Sequence, residues 1–342
     1  MTEDIEEEIV EKSLVEAAGD VAGELTSAMD GIPKPLKKGF FKAFNQLGTA
    51  WLEGKAIEIK ATSEARALVT KGIATKMVET GQVPEEYTQI AMEMQASKIV
   101  RKRLNLDKIL YRTKEVLQED KDNSEGENQA EISSDWLNSY EDIAENMSSD
   151  EMQTRFAKIL AGEIKRPSSF SIKSVKLLAE IDTHTASLFA RFCSCCIMQK
   201  FPSTSVSHVF DARVSGLSGS IGSNSLQKYE LSYDQITRLQ EYDLVSSDLN
   251  SYMSYSPSII SPTSNRVSIP LYYQNRPFAL RQLEDDPKQR AEYKITGVRL
   301  SVVGIELYSI VDFISNDKYF EDLRSFFKTQ KLQLEPINIS PH

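Results

Sequence analysis

The chain has 342 residues, enough for two or three modest domains, and its 40% hydrophobic and 26% charged residues are ordinary for a globular protein. Its net charge of −10 argues against indiscriminate binding to nucleic acid or anionic lipid, although local basic patches can still bind. No run approaches the roughly 18 apolar residues of a membrane span, and the acidic N-terminus is unlike a secretory signal. Three closely spaced cysteines do not indicate a disulfide framework, so we expect a reduced, cytoplasmic setting.

An amphipathic helix is predicted over residues 34–51, because apolar residues recur there at helical spacing and lysines occupy other positions. Such a helix can bind a partner or lie in a membrane interface, which would place the protein at the periphery of the inner membrane. The alternative is that the stripe packs on the protein's own helices, since any surface helix has one apolar face. The residues concerned are Leu36, Phe40, Phe44, Leu47 and Trp51 on the apolar face, with Lys37, Lys38 and Lys42 beside it.

Two long helices are predicted next. Residues 51–80 are rich in Ala, Glu and Lys and lack proline, and a second helix is expected from Pro84 to about Gln118. The short connection between them predicts an antiparallel hairpin of the coiled-coil kind.

The second long helix carries a basic cluster. A basic helix can neutralise phosphates, and Tyr111 can stack on a base, so the cluster indicates nucleic-acid binding. Alternatively, the acidic residues that follow in the chain screen these cations. The candidate phosphate-binding residues are Arg101, Lys102, Arg103, Lys108 and Arg112.

Residues 119–133 are polar, acidic and nearly devoid of apolar side chains, which is typical of a linker. A helical bundle is expected after it, over residues 134–201. Ser148 and Ser149 can cap one helix of this bundle, which Pro167 ends. Serines after Pro167 can cap a second helix, and Asp182 or Thr183 can cap a third.

The same stretch carries a recognisable pattern: LAGE at Leu160–Glu163, then Pro167, then SFS at Ser169–Ser171. Together with the segment Ile32–Arg66, it resembles an uncharacterised bacterial family, Domain of Unknown Function 2806. The family has no assigned catalytic residues, so the resemblance implies none here. Its relatives are often discussed beside phage-defence genes, which implies a role in defence. Helix capping, helix termination and core contacts account for the signature residues. These are Phe156, Leu160, Gly162, Glu163, Pro167 and Phe170.

The last third of the chain differs in character. A short helix is predicted over residues 233–245, strands over Arg266–Tyr273 and Glu292–Thr296, and an apolar helix over Thr296–Val311. A terminal amphipathic helix follows over Tyr319–Lys331. This order is typical of a winged-helix domain.

Signals for catalysis and metal binding are weak. Cys193, Cys195 and Cys196 diverge around one apolar helix, whereas structural zinc sites present paired ligands from two turns. The Glu163-x-Lys165 spacing of some nucleases ends a helix here, where the lysine suits the negative end of the dipole. Familiar catalytic templates are absent, which weakens the enzyme hypothesis without excluding it. No cofactor, metal or small-molecule substrate is inferred.

These observations predict a mainly α, nearly all-α protein with a small α+β winged-helix-like C-terminal domain. Its expected parts are a long-helix region (1–118), an acidic linker (119–133), a helical bundle (134–201) and the winged-helix-like region (202–342). The preferred function is that of a non-catalytic interaction or effector protein that binds a protein partner or itself, with phage defence implied by the resemblance alone. The alternatives are nucleic-acid binding through the basic helix or C-terminal domain, and membrane-surface binding through residues 34–51.

Overall fold

A computed structural model of the chain describes residues 29–47, 85–119, 131–201 and 209–338. The chain divides into two compact units, Met1–Val175 and Lys176–His342. Trp51, the predicted helix over residues 51–80 and most of the predicted linker lie outside the described residues. The predicted division into four parts therefore stays a prediction.

The described part of the first unit is helical. The long helix expected from Pro84 is confirmed, as are the two helices on either side of Pro167. Ser149 caps the first of these two, its hydroxyl accepting the N–H of Met152. The helices are α1 (Lys34–Leu47), α2 (Glu85–Glu119), α3 (Ser134–Ala144), α4 (Asp150–Lys165) and α5 (Ile172–Glu180), and the division between the units falls within α5.

Aromatic side chains fill the core between these helices. The Trp136 ring of α3 stacks on Tyr140 with the ring centroids 5.0 Å apart. The Tyr140 hydroxyl donates to the backbone oxygen of Phe156 in α4 at 2.9 Å, which satisfies a fully buried phenol. Both α2 and α1 pack on α4, and Phe40 and Phe44 of α1 are buried there.

The second unit is built on a sheet of eight short strands. The strands are β1 (Ile197–Lys200), β2 (Val209–Ser215), β3 (Tyr252–Ser254), β4 (Ile259–Ile260), β5 (Leu271–Tyr273), β6 (Arg276–Gln282), β7 (Lys294–Arg299) and β8 (Leu332–Pro336). The helices are α6 (Thr183–Ser194), α7 (Tyr233–Glu241), α8 (Pro287–Ala291), α9 (Val302–Tyr308) and α10 (Asp317–Thr329).

The strands follow the order β3-β7-β2-β1-β5-β6, with β8 on the far side of β6. All pairs are antiparallel except β4, which pairs in parallel with the second half of β6. A two-residue turn at Gln274 and Asn275, both with positive φ, joins β5 to β6, as expected of a tight hairpin. Helix α10 packs on the sheet, and its Tyr319 hydroxyl bonds both the N–H and the carbonyl oxygen of Ser215 at 3.1 Å.

The prediction of a mainly α, nearly all-α fold with a small winged-helix-like domain is wrong. The protein is α+β, because its second half folds around an eight-stranded, mostly antiparallel sheet. Strand β1 begins at Ile197, within the segment predicted to end the helical bundle. Strand β7 runs to Arg299 through the start of the predicted apolar helix, which begins only at Val302 after the cap Ser301.

A buried charge cluster lies at the centre of the sheet on β2. The side chains of Asp211 and Arg213, two residues apart and so on one face of the strand, form a bidentate ion pair that is almost fully buried. Arg213 also donates to the backbone oxygens of Ser251 at 2.7 Å and Ile295 at 3.0 Å. The buried Tyr255 hydroxyl donates to Asp211 at 2.9 Å. One cluster thereby joins β2 and β7 to the segment around β3.

A second arginine orders a loop. Arg281 of β6 pairs with Glu335 of β8 and also reaches the loop of residues 261–265 that follows β4. Its guanidinium donates to the backbone oxygens of Pro262 at 3.1 Å and Ser264 at 2.9 Å. The loop thus has a partner for its backbone carbonyls although it belongs to no strand.

We expect Asp211→Asn to lower the free energy of unfolding by about 3–5 kcal/mol, because it leaves the buried Arg213 guanidinium without its counter-charge. Urea unfolding followed by circular dichroism measures the change. As the matched control, Glu284→Gln breaks the exposed pair with Lys331 and should change the free energy of unfolding little. Equal effects of the two substitutions would contradict the structural role of the buried pair.

The cap of α6 predicts a pH dependence. The backbone N–H and hydroxyl of Thr185 donate to the Asp182 carboxylate, as do Arg238 and Tyr242, and these bonds hold the pKa of Asp182 well below its usual value. A depressed folded-state pKa adds stability above the unfolded-state pKa of about 3.9, and this stability is lost as the pH falls. The unfolding free energy of wild type should therefore exceed that of Asp182→Asn near neutral pH, and the difference should shrink below about pH 4. A difference that does not change with pH would refute this linkage.

Candidate interaction surface

The apolar face of the predicted amphipathic helix lies in the core of the first unit. Phe40, Phe44 and Leu47 are buried against α3 and α4, and Leu36 is half-buried. This placement corresponds to the alternative in which the stripe packs on the protein's own helices. Among the described residues, no helix is long and apolar enough to cross a membrane.

The lysines of α1 lie at the surface around this buried face. Lys38 and Lys42 form ion pairs with Glu131, with N–O distances of 2.5 and 3.6 Å, and Lys37 is half-buried. Hydrogen bonding by Lys38 and the positive charge of both lysines lower the pKa of Glu131.

Three of the five predicted phosphate-binding cations are paired within the first unit. Lys102 binds the Glu145 carboxylate. Arg103 binds Glu141 at 3.0 Å. Arg112 donates to the Asp150 carboxylate at 2.7 Å and to the Asp150 backbone oxygen at 3.1 Å, at the first turn of α4. These three cations therefore hold α2 against α3 and α4.

The other two cations, Arg101 and Lys108, are exposed on α2, and neither has an ion-pair partner among the described residues. The structure thus separates the predicted cluster into two sets. One set faces the protein and the other faces solvent.

Helix α2 carries an apolar surface that the sequence analysis did not identify. At 100° per residue its members fall within an arc of about 120°, opposite the buried residues Leu106, Ile109 and Leu110. Each side chain of this surface is between 50% and 68% exposed. We call it the α2 stripe, and it consists of Ile90, Met94, Val100, Leu104 and Tyr111.

A signal for the stripe does exist in the sequence. Ile90, Ser97, Leu104 and Tyr111 are seven residues apart, which is the heptad spacing of helices that pair. This spacing is difficult to recognise because Arg101 and Lys108 lie in the same arc, so the sequence does not show a continuous apolar face.

The family-signature residues build a corner between α4 and α5. The carboxylate of Glu163, which is buried, accepts the backbone N–H of Ser168 at 2.6 Å and that of Phe170 at 3.1 Å. Ser168 has a positive φ, so the chain reverses there just after Pro167 ends the helix. The carboxylate supplies acceptors that the turn's own backbone does not provide.

Two further signature features fix the ring of Phe170. A Cβ at position 162 would lie 2.6 Å from Cε2 of this ring, so only glycine allows its close approach to α4. The indole N–H of Trp136 donates to the Phe170 backbone oxygen at 2.7 Å. Phe156 and Leu160 are fully buried beneath the corner.

The three cysteines are buried at the end of α6 and the start of β1. Burial raises the pKa of all three thiols, that of Cys195 to about 12. The thiolate is the form that attacks electrophiles and binds metals, so we expect these thiols to be unreactive near neutral pH. Among the residues that the structure describes, no group of three or more His, Cys, Asp and Glu is arranged to hold a metal ion.

The Glu163 corner predicts a strong effect of a nearly isosteric change. In Glu163→Gln one of the two backbone N–H groups faces the side-chain NH2 group, which can only donate, so we expect a loss of about 1–3 kcal/mol of unfolding free energy. Chemical unfolding of the full chain measures it. Glu151→Gln, at an exposed pair with Arg155 on the same helix, should cost under about 1 kcal/mol. If Glu163→Gln costs no more than this control, the carboxylate does not hold the corner.

The comparisons with known proteins identify a family. A model of the family described as "Protein of unknown function (DUF2806)" matches residues 90–324, which is more than half of the chain. No curated protein and no solved structure matches the chain. The expectation drawn from the LAGE and SFS residues is confirmed, and the chain belongs to the DUF2806 family of proteins of unknown function.

Proposed function

We propose that this protein is a non-catalytic interaction protein that binds another protein through the α2 stripe. The observation that carries the proposal is the position of five large apolar side chains on one exposed face, directly opposite the face that packs in the core. Burial of apolar surface provides roughly 25 cal/mol per Å², so a partner that covers these side chains gains binding free energy. Large exposed apolar side chains with polar residues among and around them are a feature of protein interaction sites, and Arg101 and Lys108 lie among these side chains.

The placement of the basic residues supports this proposal over nucleic-acid binding. Binding to phosphates requires cations that are available to replace counterions. Lys102, Arg103 and Arg112 already pair with carboxylates of α3 and α4. Removing them from these pairs would cost interactions that hold the first unit together.

Burial of the α1 aromatic side chains likewise favours protein binding over membrane-surface binding through residues 34–51. Phe40 and Phe44 would have to leave the core of the first unit to enter a lipid interface. A role in phage defence rests on the family resemblance and stays an expectation.

Photo-cross-linking in cells that express the full chain tests the proposal. A benzophenone amino acid at position 104 should give a discrete cross-linked protein product, because a partner covers this position. The same group at Tyr252, which is 64% exposed in the second unit, is the matched control and should give none. The proposal fails if position 104 gives no product, or only a cross-link within its own chain.

A further inference from the structure

We infer that the partner of the α2 stripe is an acidic amphipathic helix of another protein, which lies along α2 and pairs its carboxylates with Arg101 and Lys108. The inference rests on the proposed function, since it states the chemistry of the partner that the same surface binds. Three observations carry it: the charge of these two residues, their position near the middle of the stripe and their spacing along α2.

The charged residues within the stripe are basic. Between Met94 and Tyr111, the charged residues that fall in its arc of about 120° are Arg101 and Lys108, and both are exposed. Neither has an ion-pair partner among the described residues, whereas the three cations of α2 that face the protein each bind a carboxylate of α3 or α4. A partner that covers the apolar side chains also covers these two cations, and removing a charge from water is costly unless an opposite charge pairs with it. The inferred partner therefore supplies carboxylates.

The position of the two cations favours a protein partner over a membrane or a nucleic acid. By helical geometry both lie within about 40° of the middle of the arc, with Leu104 and Tyr111 on one side and Met94 on the other. A helix that lies in a membrane interface carries its cations on the opposite, polar face, because the middle of its apolar face enters the acyl region. Phosphates of a nucleic acid would neutralise the cations but leave the apolar side chains in water. A protein surface with both apolar and acidic side chains covers the whole stripe.

The spacing of the cations favours a helical partner. Arg101 and Lys108 are seven residues apart, which is about 10.5 Å along the helix axis, and the same interval separates Leu104 from Tyr111. When two helices pair, each repeats its contact positions at this interval. In an extended strand the side chains of one face recur at about 6.7 and 13.4 Å, so two acids of a strand do not match both cations. A helix with acids seven residues apart beside an apolar seam therefore fits the stripe.

The binding of two synthetic peptides to the full chain tests the inference. Both peptides have about four heptads with a leucine seam, and they differ at two positions beside the seam, seven residues apart, which are Glu in the acidic peptide and Lys in the basic peptide. Fluorescence anisotropy of a trace amount of dye-labelled peptide measures the dissociation constant. We expect the constant of the acidic peptide to be at least about tenfold lower, and the difference to shrink as salt rises. The net charge of −10 attracts the basic peptide instead, so this preference marks a local contact.

Charge reversal on α2 tests which residues carry the preference. In the double variant Arg101→Glu and Lys108→Glu the acidic peptide should bind at least about tenfold more weakly and the basic peptide more tightly, because attraction and repulsion change places. The double variant Lys318→Glu and Lys328→Glu is the matched control. Both of these lysines are exposed on α10, and their reversal changes the net charge by the same amount, so the preference for the acidic peptide should persist. If the reversed α2 loses helical circular dichroism, the milder Arg101→Gln and Lys108→Gln takes its place and should abolish the preference.

The outcomes separate this inference from the proposed function. An acidic peptide that does not bind, or that binds no better than the basic one, overturns the inference, as does a preference that survives reversal of Arg101 and Lys108. Binding to phosphatidylglycerol vesicles that this reversal abolishes would assign the stripe to a membrane surface instead. A cross-link at position 104 that joins two copies of this chain also overturns it. If the product at position 104 in cells is another protein and persists in the charge-reversed chain, the proposed function stands and this inference falls.

Discussion

The packing of the C-terminal half of α2 on α4 decides which side chains of this helix are core and which reach solvent. Leu106, Ile109 and Leu110 lie on the buried face. Ion pairs of Arg103 and Arg112, on opposite flanks of that face, oppose rotation of the helix about its axis. Since side chains on a helix keep fixed angular positions, the orientation of the exposed stripe follows from these contacts. The surface that we assign to binding is thus set by the core.

Each unit contains a buried charged side chain, and in both cases this side chain is hydrogen-bonded to several partners. The Glu163 carboxylate serves two backbone N–H groups in the first unit, and Arg213 in the second serves one carboxylate and two backbone oxygens. Buried charges are tolerated only when they are paired in this way. These groups hold segments that would otherwise lack partners, which gives Glu163, a signature residue of the family, a structural role.

Elements that depend on local signals could be predicted from the sequence, whereas those that depend on pairing between distant residues could not. The helix before Pro167 and helix α6 were predictable because Ser149 and Asp182 are caps that act within three residues. The sheet was not, because its strands are short, β6 carries Pro277, and pairing between distant strands leaves no local pattern. The cations of α2 were recognised as a cluster, but their partners Glu141 and Glu145 lie 38 and 43 residues away and no spacing rule connects them.

The order of the loop after β4 depends on a residue that is distant from it in the sequence. Residues 261–265 have the Ser, Thr and Pro content of an easily nicked surface loop, yet their carbonyls are bound by Arg281 in β6. The free energy of local opening, and with it susceptibility to proteases, is therefore set by a side chain outside the loop. Substitutions of the loop's side chains should therefore leave it ordered as long as its backbone still reaches that one guanidinium.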